Sequence, residues 1–458
     1  MVERKKMSRY VTIGSLSLVL IVIALLVWFL TSIFEGEKPF LRVDPLPQFL
    51  TEKKTFAVAA MDSKRGLRVL KVVLNQEGRE IPVLEKKFDF KGLLNRGGVR
   101  SYDTMFSVDP AKLNLTQGRV DLEVRVWDYS RRSGGDGNLT LMQHTMVIDT
   151  IPPSIRAVSR INNMNVGGAG LVVYQASSDT VKSGLFVDGL FYRGFPAKKN
   201  SENRHYVCYF AIPHSMKGNP ELYLWAEDKA GNRSKTTFYY HIRRVRFRTE
   251  RMNLTDQFVK SVLAEFSSYP FDPAAKDIDK FLKVNRELRK ENHLTFKKVA
   301  EDTAPEKLWD GPWLRQKNSL TTGHFAEKRL YYYNGQKIDE QVHTGIDLAS
   351  VPNAEVHAAA SGRVIFAGRL GIYGRTLILD HGQGLASLYA HLSSSSVQVG
   401  AQVAKGEAIG ATGQSGLAGG DHLHFGIMVQ GMFVNPIEWW DPHWIRDNIT
   451  RKLNLLDK

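Results

Sequence analysis

Alternation of apolar and polar residues with a period of two dominates the first half of the chain. Leu67-Arg68-Val69-Leu70-Lys71-Val72-Val73-Leu74 and Val120-Asp121-Leu122-Glu123-Val124-Arg125-Val126-Trp127 each predict a half-buried strand. Turn residues such as Arg132-Ser133-Gly134-Gly135-Asp136-Gly137 separate such runs. Two other periods interrupt the pattern. Tyr10 to Phe34 carries no charged side chain, and its 25 residues would rise about 37 Å as a helix, enough to span a bilayer. Between 251 and 300, Phe258, Val262 and Phe266 recur every four residues, and Ile278, Phe281, Leu282 and Leu288 keep helical spacing. Two amphipathic helices broken at Tyr269-Pro270 follow from that spacing.

These periods divide the chain. Residues 1–36 form a cytoplasmic tip and a transmembrane anchor. Arg4, Lys5, Lys6 and Arg9 precede the apolar run, which places the amino terminus in the cytoplasm and the bulk of the chain in the periplasm or outside the cell. A cleaved signal peptide is the rival, but its apolar region would be shorter and would end in small residues, not in Val27-Trp28-Phe29-Leu30. Residues 40–150 and 151–248 are two β-sandwich spacers. The boundary falls at Asp149-Thr150-Ile151-Pro152-Pro153, because two prolines donate nothing to a ladder. Leu224-Trp225-Ala226-Glu227-Asp228 in the second echoes Val124-Arg125-Val126-Trp127-Asp128 in the first, at about the spacing of one immunoglobulin-like sandwich. Ala226-Glu227-Asp228-Lys229-Ala230-Gly231-Asn232 resembles a strand-to-turn segment of bacterial immunoglobulin-like domains. A helical connector (249–310), a β domain (311–440) and a carboxyl-terminal tail (441–458) complete a mainly β architecture.

Composition narrows the function. With 458 residues, 43% hydrophobic and 24% charged, the chain is neither a polytopic membrane protein nor wholly disordered. Cys208 is the only cysteine, which excludes an intrachain disulfide framework and any multi-cysteine zinc or iron–sulfur site. The net charge of +15 suits anionic polymers of a cell envelope. No nucleic-acid signature accompanies it, so no nucleic-acid partner is expected.

Candidate chemistry gathers in the last third. His343-Thr344-Gly345-Ile346-Asp347 is His-x-x-x-Asp, and His422-Leu423-His424 is His-x-His. On a strand, residues two apart share a face, so His422 and His424 look into one groove while Leu423 points into a core. Two imidazoles and one carboxylate make three ligands for a divalent ion, and zinc with three protein ligands keeps a fourth position for water. His443 and Asp447 repeat the first spacing in a Trp-rich tail and read as a helical surface pair.

Three blocks carry a family resemblance: His343-Thr344-Gly345-Ile346-Asp347-Leu348-Ala349, Tyr389-Ala390-His391-Leu392 and His422-Leu423-His424-Phe425. They resemble, in order, the signature blocks of lysostaphin-type (LytM-like) zinc endopeptidases, over roughly residues 320–438. The resemblance implies a small antiparallel β fold with a narrow groove that cuts peptide bonds of peptidoglycan. It implies one zinc ion held by His343, Asp347 and His424. His391 and His422 would then orient or deprotonate the attacking water and stabilise the oxyanion. Phe325-Ala326-Glu327-Lys328-Arg329 and Asp421 depart from the family pattern, at positions expected on the groove rim. The family's oxyanion tyrosine falls somewhere among Tyr331, Tyr332 and Tyr333.

Other candidates read as structural. His381 ends an apolar run, His357 alternates within a strand, and His324 sits in a loop. Gly410 to Gly420 lacks a phosphate-loop lysine, and Gly413-Gln414-Ser415-Gly416 is not a nucleophile elbow. The expectation is a membrane-anchored zinc endopeptidase, with a catalytically silent scaffold that activates another wall hydrolase as the alternative. Peptidoglycan, the inner membrane and cell-wall or division proteins are the partners expected.

Overall fold

The computed structural model describes residues 2–197 and 204–457; of residues 2–6 and Ser8 only the backbone is described. It is mainly β, as the alternating runs predict. The chain forms two compact units, Met1–Ile151 with Ala230–Asn232, and Pro152–Lys229 with Arg233–Lys458.

The first unit opens with helix α1 (Val2–Ile33). Its Arg9–Ile33 portion is long and apolar enough to cross a membrane, and its large side chains stand exposed. An exposed apolar surface this continuous marks a membrane anchor or a signal segment. A sandwich follows. One sheet has three strands, Phe40–Asp44, Lys54–Met61 and Ser101–Val108; the other has five, including Leu67–Gln76, Gly118–Asp128 and Leu139–Ile148. Alternation sets the packing: Val120, Leu122, Val124 and Val126 are fully buried in one core with Phe56 and Val58.

The second unit begins with two four-stranded sheets, built around Ala169–Ala176 with Arg204–Ala211, and around Thr180–Val187 with Leu222–Asp228. Then come α2 (Asp256–Glu265), α3 (Asp277–Lys283), a π-helical turn at Val284–Leu288 and α4 (Arg289–Val299). The Thr255 hydroxyl caps α2 by accepting the Phe258 N–H at 3.2 Å. The expected break holds: α2 ends before Tyr269-Pro270 and α3 starts seven residues after that proline. The start of the expected helical connector is different. Thr249–Leu254 is a strand running parallel to Lys328–Tyr333, with Glu250 opposite Arg329. A parallel pair needs a crossover, and α2 to α4 provide it.

The candidate catalytic domain is built on an eight-stranded sheet. Its order is Leu320–Gly323, Ile346–Ala349, Leu423–Val429, Leu385–Leu392, Arg375–Gly382, Gly362–Arg369 and Gln402–Val403, with Met432–Val434 also paired on Leu423–Val429. Every residue of Leu423–Val429 and of Leu385–Leu392 is buried, so both faces of the central strands are covered. Trp309 packs edge to face against Trp313 and Trp439, and the rings of Trp313 and Trp439 are tilted by 50° at 4.9 Å, in the same core. The tail joins this core through Ile445 and Ile449, and Lys452 Nζ donates to Leu171 O at 2.8 Å and Asn162 Oδ1 at 3.1 Å. The buried Glu438 carboxylate accepts the Ala169 N–H at 2.8 Å and Asn165 Nδ2 at 2.7 Å.

Candidate metal centre

Strand register assembles the site. Asp347 stands directly across from His424, with Gly323 across from Asp347 on its other side. Ala390 lies across from His424 on the next strand, which brings His391 to the same edge. His391 has φ 61°, a left-handed backbone that disfavours a side chain by about 1–2 kcal/mol. Its ring lies 4.9 Å from that of His422 and 5.7 Å from that of His424. Gly345 is required here: a Cβ at that position would sit 2.5 Å from His424 Nε2.

Three donor atoms converge. His343 Nε2 lies 2.9 Å from His424 Nδ1 and 3.0 Å from Asp347 Oδ1, and His424 Nδ1 is 2.9 Å from Asp347 Oδ1. His343 Nδ1 donates to His324 O at 2.9 Å, which leaves a lone pair on Nε2. That Nε2 faces a carboxylate oxygen and a second imidazole nitrogen, an arrangement that a shared cation satisfies. Tetrahedral zinc with bonds of 2.0–2.2 Å spaces its ligand atoms roughly 3.3–3.5 Å apart, so this donor set fits the ion after small relaxation.

Hydrogen bonds to carbonyls fix two more rings. His391 Nδ1 donates to Ser415 O and His422 Nδ1 donates to Gly420 O, both at 2.8 Å. His422 Nε2 lies 3.5 Å from Asp347 Oδ1. His343, Asp347, His391 and His424 are each 7% exposed or less. Burial, then the neighbouring His422 and His424, holds His391 well below the usual imidazole range. Burial brings His424 down to about 4. His422 moves the other way, because the Asp347 carboxylate outweighs its burial. Burial alone would raise Asp347; the imidazoles around it, His343 foremost, hold its carboxyl well below the ordinary value.

These groups line one cavity of about 360 Å³. One wall comes from the helical segment and the strand before it, through Met252, Phe258, Phe281 and Arg289. Of the three consecutive tyrosines only Tyr331 reaches the cavity. Tyr332 lies under the Arg251 guanidinium at 3.8 Å, and the Tyr333 hydroxyl donates to Asp256 at 2.6 Å. Tyr373, which the sequence did not single out, also lines it, 5.4 Å from the His424 ring and 3.1 Å from the Thr344 hydroxyl.

The remaining candidates fall elsewhere. His381 is buried between Ser361 O and the Ser387 hydroxyl, each at 2.8 Å, against Trp313. His357 pairs with Glu355 at 3.1 Å. Asp447, in the tail, pairs with Arg446 and Arg451. His324 contributes its backbone carbonyl, which carries no mark in the sequence. The expectation that Phe325–Arg329 touches only the groove rim is corrected: Arg329 Nη2 donates to Asp347 Oδ2 at 2.7 Å.

Fold and site together define a β domain with a two-histidine, one-carboxylate centre. The model of Peptidase family M23 matches this carboxyl-terminal region over residues 341–436. The DD-carboxypeptidase/endopeptidase Mpg of Neisseria meningitidis serogroup B is 42% identical over 133 residues, 28% of this chain and 31% of that protein. The murein hydrolase activator EnvC of Escherichia coli is 40% identical over 110 residues, 24% of this chain and 26% of that protein. The chain thus spans about a third or less of the length of these curated relatives. The catalytic domain of lysostaphin from Staphylococcus simulans is 27% identical over 27% of this chain and 94% of its own, with a TM-score of 0.24.

Proposed function

We propose that the protein is a membrane-anchored, zinc-dependent endopeptidase that hydrolyses peptide bonds in the stem peptides or cross-links of peptidoglycan. One observation carries the reading: His343 Nε2, Asp347 Oδ1 and His424 Nδ1 meet within 3.0 Å of one another, in a cavity that His391 and His422 also line. The endopeptidase named for one curated relative and the murein hydrolase named in the other's description support the substrate class. The anchor is α1, with its amino terminus in the cytoplasm, and the catalytic domain is residues 311–440.

When bound, zinc supplies Lewis acidity, lowering the pKa of a water toward about 7 and polarising a carbonyl. His343, Asp347 and His424 hold the ion. His391, neutral and with Nδ1–H committed to Ser415 O, presents the Nε2 lone pair and takes a proton from the attacking water. His422, kept protonatable by Asp347, donates from Nε2 to the developing oxyanion and then to the leaving amine. Asp347 stays ionised throughout.

The test is digestion of purified wall by wild type and by His391→Ala, with mass spectrometry of the released fragments and metal analysis of both proteins. The expected result is cleaved cross-links from wild type alone, with zinc retained by both. The activator name of one relative keeps a second reading in view. A wild type that binds no zinc and cleaves nothing, yet stimulates a separate wall hydrolase, would establish that reading instead.

A further inference from the structure

The Asp347 carboxylate has two oxygens with separate tasks. Oδ1 faces His343 Nε2 at 3.0 Å and His424 Nδ1 at 2.9 Å. Oδ2 accepts Arg329 Nη2 at 2.7 Å. The Arg329 Nε in turn donates to Glu327 Oε1 at 3.2 Å. Glu250, on the parallel strand across from Arg329, adds a third acid on this side, and burial and then the nearby Glu327 raise its pKa. The arginine is thus held from behind, and its planar fork has one direction left in which to reach Asp347. The backbone makes room for the pair. Gly323 sits directly across from Asp347, and a Cβ there would lie 2.3 Å from Asp347 Oδ2 and 2.4 Å from Arg329 Nη2.

We propose that Arg329 is a positioning residue that occupies Asp347 Oδ2, so that the carboxylate offers a single oxygen to the ion and leaves a coordination position free for water and substrate. The inference rests on the zinc reading of the same site. Without the guanidinium, Asp347 is free to rotate and present both oxygens. Such a carboxylate would bind through two atoms beside the water, taking the ion from four- to five-coordinate, crowding the position a substrate carbonyl needs and losing the orientation that preorganises the site.

The experiment loads the full-length protein in detergent with cobalt(II) and with zinc, and compares wild type, Arg329→Gln, Arg329→Lys and Gly323→Ala. Readouts are the visible absorption of the cobalt form and zinc affinity by competition with a chelator. Four-coordinate cobalt absorbs several-fold more strongly than five-coordinate cobalt. Wild type is expected to give the strong spectrum. Arg329→Gln is expected to give a weaker, shifted one, with zinc affinity changed by roughly 10–100-fold. Arg329→Lys, which keeps the charge without the fork, falls between. Gly323→Ala keeps both charges but crowds the pair, and is expected to reproduce the Arg329→Gln spectrum; it decides the matter if Arg329→Gln does not fold. Variants that match the wild-type spectrum and affinity overturn the role of Arg329 and leave the zinc reading intact. A wild type that takes up neither metal overturns the zinc reading itself.

Discussion

Two buried trios of potential ligands occur among the described residues, and they are built on opposite principles. In the second unit, His343, Asp347 and His424 gather two imidazoles and a carboxylate; in the first, Glu35, Asp62 and Asp128 gather three carboxylates. The acids of the first unit are saturated by their own backbone. Asp62 Oδ1 accepts the Lys64 and Arg65 N–H groups at 3.2 and 2.7 Å, and Asp128 Oδ1 accepts those of Ser130 and Asn138 at 2.9 and 2.7 Å. Asn138 Nδ2 donates to Glu35 Oε1 at 3.1 Å and to Asp128 Oδ2 at 2.8 Å. Burial raises Glu35 and Asp62. In the second unit, backbone carbonyls take the outer nitrogens of His343, His391 and His422, and the inner atoms are left facing one another. Proximity of ligand-type residues does not make a site; the direction in which their hydrogen bonds are spent does.

The largest effect that would test this contrast is on the mixed trio. His343→Ala should lose stoichiometric zinc and cut wall cleavage by roughly 10³-fold or more, the several kcal/mol that a Lewis acid contributes. Metal analysis and fragment release check it together. Removing zinc from wild type with a chelator should have the same effect and be reversed by adding the metal back.

A second test compares carboxyls within the second unit. Asp347 is held low, whereas burial pushes Glu438 from 4.5 up to about 7. A raised acid favours the folded state while it holds its proton. Glu438 therefore contributes fully below about pH 4.5, and that contribution, about 3 kcal/mol, is lost as the pH rises toward 7 and above. Denaturant unfolding of Glu438→Gln between pH 5 and 8 should show a flatter stability profile than wild type. A variant whose slope matches wild type would mean that Glu438 titrates normally.

The smallest effect belongs to the acidic trio. Asp128→Asn puts an amide where Asn138 Nδ2 now donates to a carboxylate oxygen, and should destabilise the first unit by about 1–2 kcal/mol with no change in zinc content. Thermal unfolding and metal analysis of the same sample separate the two outcomes. Loss of zinc in this variant would contradict the separation of the two trios.

The sequence disclosed the parts of the site whose logic is local. His-x-x-x-Asp and His-x-His are readable because spacing and residue type sit in one short window, and Val120 to Val126 is readable because burial alternates residue by residue. Groups fixed by strand pairing were not. Arg329 stands 18 residues from Asp347, and only the register of two sheets brings them together. The carbonyls of His324, Ser415 and Gly420 are backbone atoms with no side-chain signature. Tyr373 reaches the cavity from a short 3-10 turn rather than from the run of three tyrosines. Thr249–Leu254 has too few apolar residues to announce a strand, and its partner lies beyond three helices. Gly323 and Gly345 each clear space for a ligand side chain that comes from a distant strand or a neighbouring one, so their role shows only in the fold.

The donors at the centre come from positions separated by 4 and by 77 residues, joined only when two neighbouring strands, Ile346–Ala349 and Leu423–Val429, have zipped in register. A one-residue slip of Leu423–Val429 would turn His424 to the opposite face of the sheet. A newly made or partly folded copy in which that pairing has not closed therefore lacks the assembled donors. A metal held there would double as a certificate of finished folding.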